Sequence, residues 1–254
     1  MIEARNIWKS FENRDVIQDI TVSFKPGKAN LIIGRSGSGK TVLMKCLIGL
    51  MDIDRGSILY DDRNFSSMNR FEKKLVRQEI GMLFQGGALF DSMNVEQNVM
   101  FPLSMFTDWE DEQKLERVNF CLARVDLKGV NHLMPSELSG GMKKRVAIAR
   151  AIVNQPKYLF CDEPNSGLDP QTSLVIDSLI YEITQEYHMT TVVNTHDMNS
   201  VIGIGDTIAF IHNGKLWWTG DKETILETDN PEINQFLFSS ELTGKFKSTL
   251  QKQK

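Results

Sequence analysis

The chain has 254 residues, and its 41% hydrophobic content is enough to bury the core of one domain or of a domain with a subdomain. The formal net charge of −4 lacks the basic excess of most nucleic-acid-binding proteins, so we expect no nucleic-acid partner. Three scattered cysteines without C-x-x-C spacing predict neither a zinc site nor a disulfide framework.

The first 60 residues alternate strand and helix patterns. Alternating apolar and polar residues over 20–24 predict a strand that ends at a Pro-Gly turn at 26–27. A short apolar run at 31–33 precedes a glycine-rich segment, as expected of a strand buried on both faces. A helix is predicted over 40–50 and a further strand over 58–60.

The middle of the chain, from about 86 to 154, has a mostly helical pattern with few strand signals. We predict that it forms a subdomain inserted into the sheet domain. Within it, four apolar residues spaced three, four and three apart should share one helix face: Leu115, Val118, Leu122 and Val125.

Strand signals return in the last third, at 158–161 and 191–194. The segment 208–218 predicts a hairpin that turns at Asn213 and Gly214. After about residue 221 the pattern is again helical, and a basic polar tail at 245–254 is predicted to be frayed. Strands that alternate with helices predict an α/β core with a mainly parallel sheet.

The first candidate site is the glycine-rich segment between the strand at 31–33 and the helix that follows. It matches G-x-x-x-x-G-K-T and comprises Gly34, Arg35, Ser36, Gly37, Ser38, Gly39, Lys40 and Thr41. In such a loop the backbone N–H groups turn towards phosphates, and the helix adds its positive N-terminal end. Lys40 would contact the β- and γ-phosphates, and the Thr41 hydroxyl would be a ligand of Mg²⁺.

A pair of carboxylates follows the apolar strand at 158–161. Asp162 can hold Mg²⁺ through water, and Glu163 can polarise the water that attacks a phosphate. Alone, an Asp-Glu pair after a strand is more often a solvated turn. The phosphate loop elsewhere in the chain reverses that balance.

A second glycine pair opens the helix predicted at 143–151. Ser139, Gly140 and Gly141 could form another anion-binding helix end. An ordinary N-cap by Ser139 explains the same pattern, so the residues alone leave both interpretations open.

Several motifs occur in the order and rough spacing of the nucleotide-binding domains of ABC ATPases. They are the loop 34–41, Gln85, 138–142, Asp162 with Glu163, 166–169 and His196. The resemblance covers about residues 2 to 225. It implies an α/β P-loop NTPase fold of the ABC type, with a mainly parallel central sheet, an antiparallel β portion and an inserted helical subdomain. On this basis we assign 1–228 to the ATPase domain and 229–254 to a C-terminal extension.

The resemblance also implies how the motifs share one reaction, the hydrolysis of ATP with Mg²⁺. Ser139, Gly140 and Gly141 would contact the γ-phosphate of ATP held by a second copy of the chain, so each site is shared across a dimer. The segment 166–169, which ends in Asp169, would communicate between the two sites.

Three further residues have roles implied by the same family. His196 would contact the γ-phosphate, and Gln85 would contact Mg²⁺ and link the site to the partner-binding subdomain. Phe11 would stack on adenine, although an aromatic residue near a first strand is as often part of the core.

Two positions depart from the family pattern. Met142 stands where the signature usually has Gln, and Asn165 stands where Thr is common after the Pro. Neither replaces a group that would contact phosphate, metal or water, so we expect activity to survive.

Two classes of function compete: the motor subunit of a membrane transporter, and a soluble ABC ATPase such as an iron–sulfur assembly factor. Translation factors of this family usually carry two ATPase domains, and repair ATPases insert long coiled coils between the halves of the site. Neither feature occurs here, which favours transport. No apolar run approaches the roughly 18 residues that cross a bilayer, so an integral membrane permease would have to be a separate chain.

The segment 85–95, the signature ending at Met142 and the extension beyond 229 resemble the ATPase of the Mla-type, MCE-linked phospholipid transport system. The resemblance implies transport of phospholipid between inner and outer membranes, with an MCE-domain protein reached through the permease and no direct lipid contact. It places the chain peripherally, at the cytoplasmic face of a bacterial inner membrane. Transport of another substrate, such as an amino acid or a lipoprotein, is the alternative. The extension would supply a dimer-contacting helix, or its apolar residues would pack on their own domain.

Overall fold

The computed structural model describes residues 1–12 and 14–237. Its strands, in chain order, are β1 (Ile2–Phe11), β2 (Arg14–Phe24), β3 (Lys28–Ile33), β4 (Arg55–Tyr60), β5 (Arg63–Asn64), β6 (Ile80–Leu83), β7 (Tyr158–Asp162), β8 (Thr190–Thr195), β9 (Thr207–His212) and β10 (Lys215–Gly220). Its α-helices are α1 (Lys40–Leu47), α2 (Arg70–Gln78), α3 (Val95–Phe106), α4 (Asp111–Arg124), α5 (Gly140–Ile152), α6 (Pro170–Glu186), α7 (Met198–Ile204), α8 (Thr224–Glu227) and α9 (Pro231–Leu237). Short 3₁₀ helices lie at Phe65–Ser67 and Pro135–Glu137.

The strands of the described residues form two sheets. One has the order β10-β9-β3-β8-β7-β6 and is parallel except for the antiparallel pair β9–β10. The other has the order β2-β1-β4-β5 and is antiparallel. This architecture confirms the predicted mainly parallel central sheet with an antiparallel β portion.

The parallel sheet is buried on both faces. Leu31 and Ile33 belong to one apolar cluster, whereas Ile32 between them belongs to the other. Successive side chains of a strand point to opposite faces, so this alternation places one layer of core on each side of the sheet. Core packing therefore holds the sheet on both faces.

The predicted helical stretch at 86–154 contains α3, α4 and α5 and no strand of the described residues. Its buried residues, such as Val99 and Val146, share one apolar cluster with residues of the parallel sheet. The helical content agrees with the sequence analysis, while the division into a separate subdomain stays a prediction.

The face predicted for α4 was partly wrong. Val118, Leu122 and Val125 are buried, but Leu115 is 37% exposed. It lies within the first two turns of α4, at the end where Asp111 and Glu112 open the helix at the surface. Spacing alone could not reveal that the core covers only the later turns of this face.

Three further differences from the predicted elements have local causes. The helix predicted to Leu50 ends at Leu47, because Gly49 adopts a left-handed conformation with φ of 71°. Strand β1 was not predicted, since register shifts along it break the alternation of buried and exposed residues. Strand β6 has only four residues and gave no clear pattern.

The C-terminal helix α9 packs on its own domain. Ile233 is fully buried and Leu237 is 4% exposed, both within the apolar cluster of the parallel sheet. The ring of Phe236 lies 5.5 Å from that of Phe210 on β9. Contact of this extension with a second copy stays a prediction, and the basic tail at 245–254 lies outside the described residues.

Across 1–12 and 14–237, no helix is both long enough and apolar enough to span a membrane.

Candidate functional site

The phosphate loop connects the end of β3 to the start of α1 and depends on backbone conformations that favour glycine. Gly34 has φ of 150°, and a Cβ there would lie 2.3 Å from the carbonyl oxygen of Ile211. Gly39, which precedes α1, has φ of 106°, and a Cβ there would lie 3.0 Å from the carbonyl oxygen of Val16. Side chains at these two positions would push the loop off the sheet, so the sequence fixes its path.

Lys40 closes the loop on itself. Its Nζ donates hydrogen bonds to the carbonyl oxygens of Gly34, at 2.9 Å, and Arg35, at 3.2 Å. Burial lowers the pKa of Lys40, and the nearby carboxylates of Glu163 and Asp162 oppose that effect. A partly desolvated ammonium group beneath the loop is therefore ready to exchange these neutral acceptors for an anion.

Two carboxylates lie at the carboxyl end of β7, next to the loop. Asp162 is buried, and burial raises its pKa, while a hydrogen bond from Asn194 opposes the rise. The amide Nδ2 of Asn194 donates to Asp162 and, at 3.2 Å, to the Thr41 hydroxyl. Asn194 therefore connects two of the three side chains that we predicted as Mg²⁺ ligands, Thr41 and Asp162.

Sequence analysis missed Asn194, although a signal was available. It lies in the predicted strand at 191–194, is fully buried, and faces the same side of β8 as the apolar Val192. A single amide on the buried face of an apolar strand is costly unless it is hydrogen-bonded, which singles out the position.

Glu163 and His196 meet above the loop. Nδ1 of His196 lies 2.9 Å from Oε1 of Glu163, and the Glu163 backbone N–H donates to the carbonyl oxygen of Asn194 at 2.9 Å. Glu163 has φ of 48°, a left-handed conformation that costs a non-glycine residue about 1–2 kcal/mol.

Glu163, His196 and most of the phosphate loop line a cavity of about 1610 Å³. Of the predicted site residues it includes Phe11, Arg35, Ser36, Gly37, Gly39, Lys40, Thr41, Gln85, Glu163 and His196. Phe11 is 41% exposed at this cavity, with the Lys9 ammonium group 5.5 Å from its ring centroid. An exposed ring offers a face for stacking, and the role of Phe11 towards adenine stays a prediction.

Gly34, Ser38 and Asp162 belong to or adjoin the phosphate loop without lining this cavity, whereas the remaining predicted residues lie elsewhere. Ser139 caps α5 by accepting from the Met142 N–H at 3.3 Å, and Asp169 caps α6 by accepting from the N–H groups of Gln171 and Thr172. A Cβ added at Gly141 would lie 2.8 Å from the Thr172 methyl group, so the starts of α5 and α6 lie side by side. The site predicted from the sequence is thus divided between two places on one chain.

The residues present fit a divalent cation of the Mg²⁺ type. Thr41, Gln85 and Asp162 supply hydroxyl, amide and carboxylate oxygens, which are the hard ligands that Mg²⁺ prefers. The part of the chain described by the structure has no cluster of three or more His, Cys, Asp or Glu residues able to hold a metal. A site with few protein ligands suits Mg²⁺, which keeps several waters and binds phosphate oxygens.

The family described as ABC transporter matches residues 17–166, which include the phosphate loop, Gln85 and both carboxylates. The chain belongs to this family. It is an ABC-type ATPase with an α/β P-loop fold, as the sequence predicted.

Three relatives illustrate the range of transporters that resemble the chain. It is 37% identical over 237 residues to the intermembrane phospholipid transport system ATP-binding protein MlaF of Escherichia coli, covering 93% of this chain and 88% of MlaF. It is 38% identical over 244 residues to the methionine import ATP-binding protein MetN of Clostridium tetani, covering 95% and 76%. It is 37% identical over 236 residues to the probable ribonucleotide transport ATP-binding protein mkl of Mycobacterium tuberculosis, covering 93% and 66%. The chain thus spans about two thirds of the length of the mycobacterial relative.

The fold also resembles solved ABC cassettes. The dimeric structure of MJ0796, a bacterial ABC transporter cassette, matches with a TM-score of 0.80 at 28% identity, over 87% of this chain and 99% of that one. A second structure of MJ0796, a post-hydrolysis state bound to ADP and Pi, matches with a TM-score of 0.79.

Mg²⁺ should increase the nucleotide affinity of the wild-type chain, and we expect Asn194→Val to reduce this increase by about tenfold or more. Groups that orient metal ligands typically have effects of this size. Affinity for a fluorescent ATP analogue in EDTA should not change, because Lys40 and the loop are intact. Thr191→Val is the matched control, since it removes a buried hydroxyl of β8 that bonds Thr184 instead. Equal losses with Mg²⁺ and with EDTA would contradict the proposed role of Asn194.

Proposed function

We propose that the chain is the ATP-hydrolysing motor subunit of an ABC transporter, which dimerises on two ATP molecules and drives a membrane permease. The observation that carries this proposal is the division of the site. The phosphate loop, Glu163 and His196 line one cavity, whereas Ser139 and Gly140 are exposed at the start of α5 and do not line it. A second copy facing the cavity would supply the missing helix end.

Within this proposal each side chain has a defined task. Lys40 exchanges its two carbonyl acceptors for the β- and γ-phosphates of ATP. Glu163 orients and polarises the attacking water, and His196, held by Glu163, contacts the γ-phosphate. Ser139 and Gly140 of the second copy contact the same phosphate, so ATP favours the closed dimer by its differential contacts, and hydrolysis releases it.

For the permease we propose a docking surface built from the segment 85–105. Hydrogen bonds hold the loop within it. Arg150 donates to the carbonyl oxygens of Gly87 and Ala88. Asn98 donates to the carbonyl oxygen of Phe90 and accepts from its N–H. Phe90 is 40% exposed and Met105 is 57% exposed. A rigid loop with exposed apolar side chains suits an amphipathic helix of a partner.

The segment also connects this surface to the nucleotide. Gln85 lines the cavity at one end of the segment, and the exposed Phe90 lies five residues further along. Closure around ATP can therefore move the docking surface through this short segment of the chain. This is the physical basis for coupling that we propose.

As cargo we propose a phospholipid moved between the inner and outer membranes, with an MCE-domain protein joined through the permease. The resemblance of 85–95 and of the signature to the Mla-type ATPase supports this, as does the likeness to MlaF over most of both chains. The chain itself would lie at the cytoplasmic face of the inner membrane and would not touch the lipid.

A second candidate is import of an amino acid. The likeness to MetN, at 38% identity over 244 residues, is as strong as that to MlaF. Both candidates use the same motor and differ in permease and cargo. A soluble ABC ATPase, such as an iron–sulfur assembly factor, would share the motor without a permease.

Glu163→Gln should bind ATP without hydrolysing it, because the amide cannot take a proton from the attacking water. We therefore expect ATP to hold this variant as a dimer, measured by size-exclusion chromatography with light scattering. A strictly monomeric variant, together with a monomeric wild-type chain of full ATPase activity, would contradict the shared site.

The same variant distinguishes the cargoes when it is captured from native membranes with ATP. We expect a permease and an MCE-domain protein with bound phospholipid. A permease with an amino-acid-binding protein would favour the second candidate. Capture of soluble partners alone would favour a soluble ABC ATPase.

Met105→Glu should reduce transport strongly while leaving the ATPase activity of the isolated chain unchanged, since a charge on the docking surface opposes contact with the apolar face of an amphipathic helix. Phe71→Glu is the matched control, because Phe71 is 69% exposed on α2, outside 85–105. Transport and ATPase rates in membrane vesicles give the comparison. Equal loss of both activities, or an equal effect of Phe71→Glu, would contradict this surface.

A further inference from the structure

Three polar side chains from three separate segments meet inside the protein, outside the cavity described above. Asn165 follows β7, Asp177 lies on α6 and Ser200 lies on α7, with exposures of 8%, 3% and 0%. Nδ2 of Asn165 donates to Oγ of Ser200 at 3.0 Å, and Oγ of Ser200 donates to Oδ2 of Asp177 at 2.8 Å. We call these three residues the polar triad.

Burial of the triad costs more free energy than a purely structural contact needs to. Oδ1 of Asn165 and Oδ1 of Asp177 are both buried and have no hydrogen-bond partner within the described ranges. Its neighbours along the chain, Ile176 and Val201, are fully buried apolar residues. Apolar side chains of similar size would pack here without the cost of two unsatisfied oxygens.

The surroundings of Asp177 disfavour its ionised form. Burial raises the pKa of Asp177 to about 6, and the hydrogen bond from Ser200 and the nearby Asn165 amide oppose the rise. Asp197, the N-cap of α7, raises the pKa of Asp177 further, and Cys161 on β7 interacts with the Asp177 carboxyl group as well. The Ser200 hydroxyl needs an acceptor at Oδ2 of Asp177. The carboxyl group provides one whether it is protonated or ionised.

The triad ties together the two segments that flank the predicted γ-phosphate position. Asn165 directly precedes 166–169, the segment that ends in the N-cap of α6. Ser200 lies four residues after His196, within the first turn of α7. On the cavity side the same two segments meet through Glu163 and His196, so the triad is a second, buried connection between them.

We propose that Asn165, Ser200 and Asp177 are positioning residues that make the segment 165–169 and the segment carrying His196 move as one body. Asp177 takes the only proton of the Ser200 hydroxyl, so the lone pairs of Ser200 face the Asn165 amide and the connection has one fixed geometry. A displacement of His196 on contact with phosphate then moves 165–169, which faces the second copy. This inference rests on the proposed function, since it needs two sites in a dimer.

Asn165 is one of the two departures from the family pattern, and the triad explains what its side chain does there. Its side chain ends in an amide that donates to Ser200. The departure therefore keeps a hydrogen-bond donor at this position.

The test compares Asp177→Leu and Ser200→Ala with Asp177→Asn, which keeps an oxygen to accept from Ser200 and places an amide where the unpartnered oxygen stands. We expect the first two variants to lower kcat by about fivefold or more and to bring the Hill coefficient for ATP close to about 1. The affinity of the single chain for a fluorescent ATP analogue should not change, because no member of the triad lines the cavity. Asp177→Asn should keep both kcat and cooperativity.

Thr184→Val is the matched control for loss of a buried polar contact on α6, since Thr184 bonds Thr191 and not the triad. It should lower the melting temperature without changing the Hill coefficient. Wild-type kcat and cooperativity in Asp177→Leu and Ser200→Ala, or the same changes in Thr184→Val, would overturn the proposal. A wild-type chain that neither dimerises nor hydrolyses ATP would instead overturn the proposed function beneath it.

Discussion

The parallel pairing of β3, β8 and β7 is the constraint on which the whole site depends. Ile33 pairs with Thr195, and Asn194 pairs with Asp162, so the three strands end at one level of the sheet. The next residues along each strand are the phosphate loop, His196 and Glu163. A site assembled from segments more than 120 residues apart in sequence, such as Lys40 and Asp162, is positioned by this register and by the core on both faces of the sheet.

The same constraint holds several groups of the site in conformations or surroundings that cost free energy. Lys40 is desolvated and bonded to neutral carbonyl groups, Asp162 is buried with its pKa raised by that burial, and Glu163 has a strained backbone. Each of these states has a cost that a phosphate, a divalent cation or a positioned water would reduce. The folded core keeps these groups in place, because the strands beneath them cannot shift without disturbing close-packed side chains.

Sequence alone predicted the parts of the fold whose signals are local. The phosphate loop, the carboxylates after a buried strand and the Asn213–Gly214 hairpin are each specified by a few adjacent residues, and the structure has them where they were expected. The exposure of Leu115 could not be predicted in this way, because it depends on segments distant in sequence. The strand pattern could single out Asn194 but not its partners Thr41 and Asp162, which are also distant in sequence. The triad of Asn165, Ser200 and Asp177 has the same origin, as its members only meet once β7, α6 and α7 have packed.

The central claim is that the nucleotide site is completed by the exposed start of α5 from a second copy. Gly140→Asp tests it directly, because a Cβ there meets only the Leu168 side chain at 3.4 Å and a carboxylate at a helix N-terminus is tolerated by the fold. In the Glu163→Gln background, nucleotide affinity of the single chain should be unchanged and the ATP-dependent dimer should disappear, since the new charge would face the γ-phosphate. Ser136→Asp, which adds the same charge at an exposed position before α5, should leave the dimer intact. A Gly140→Asp chain that still dimerises with ATP, or that loses nucleotide affinity as a monomer, would contradict the account.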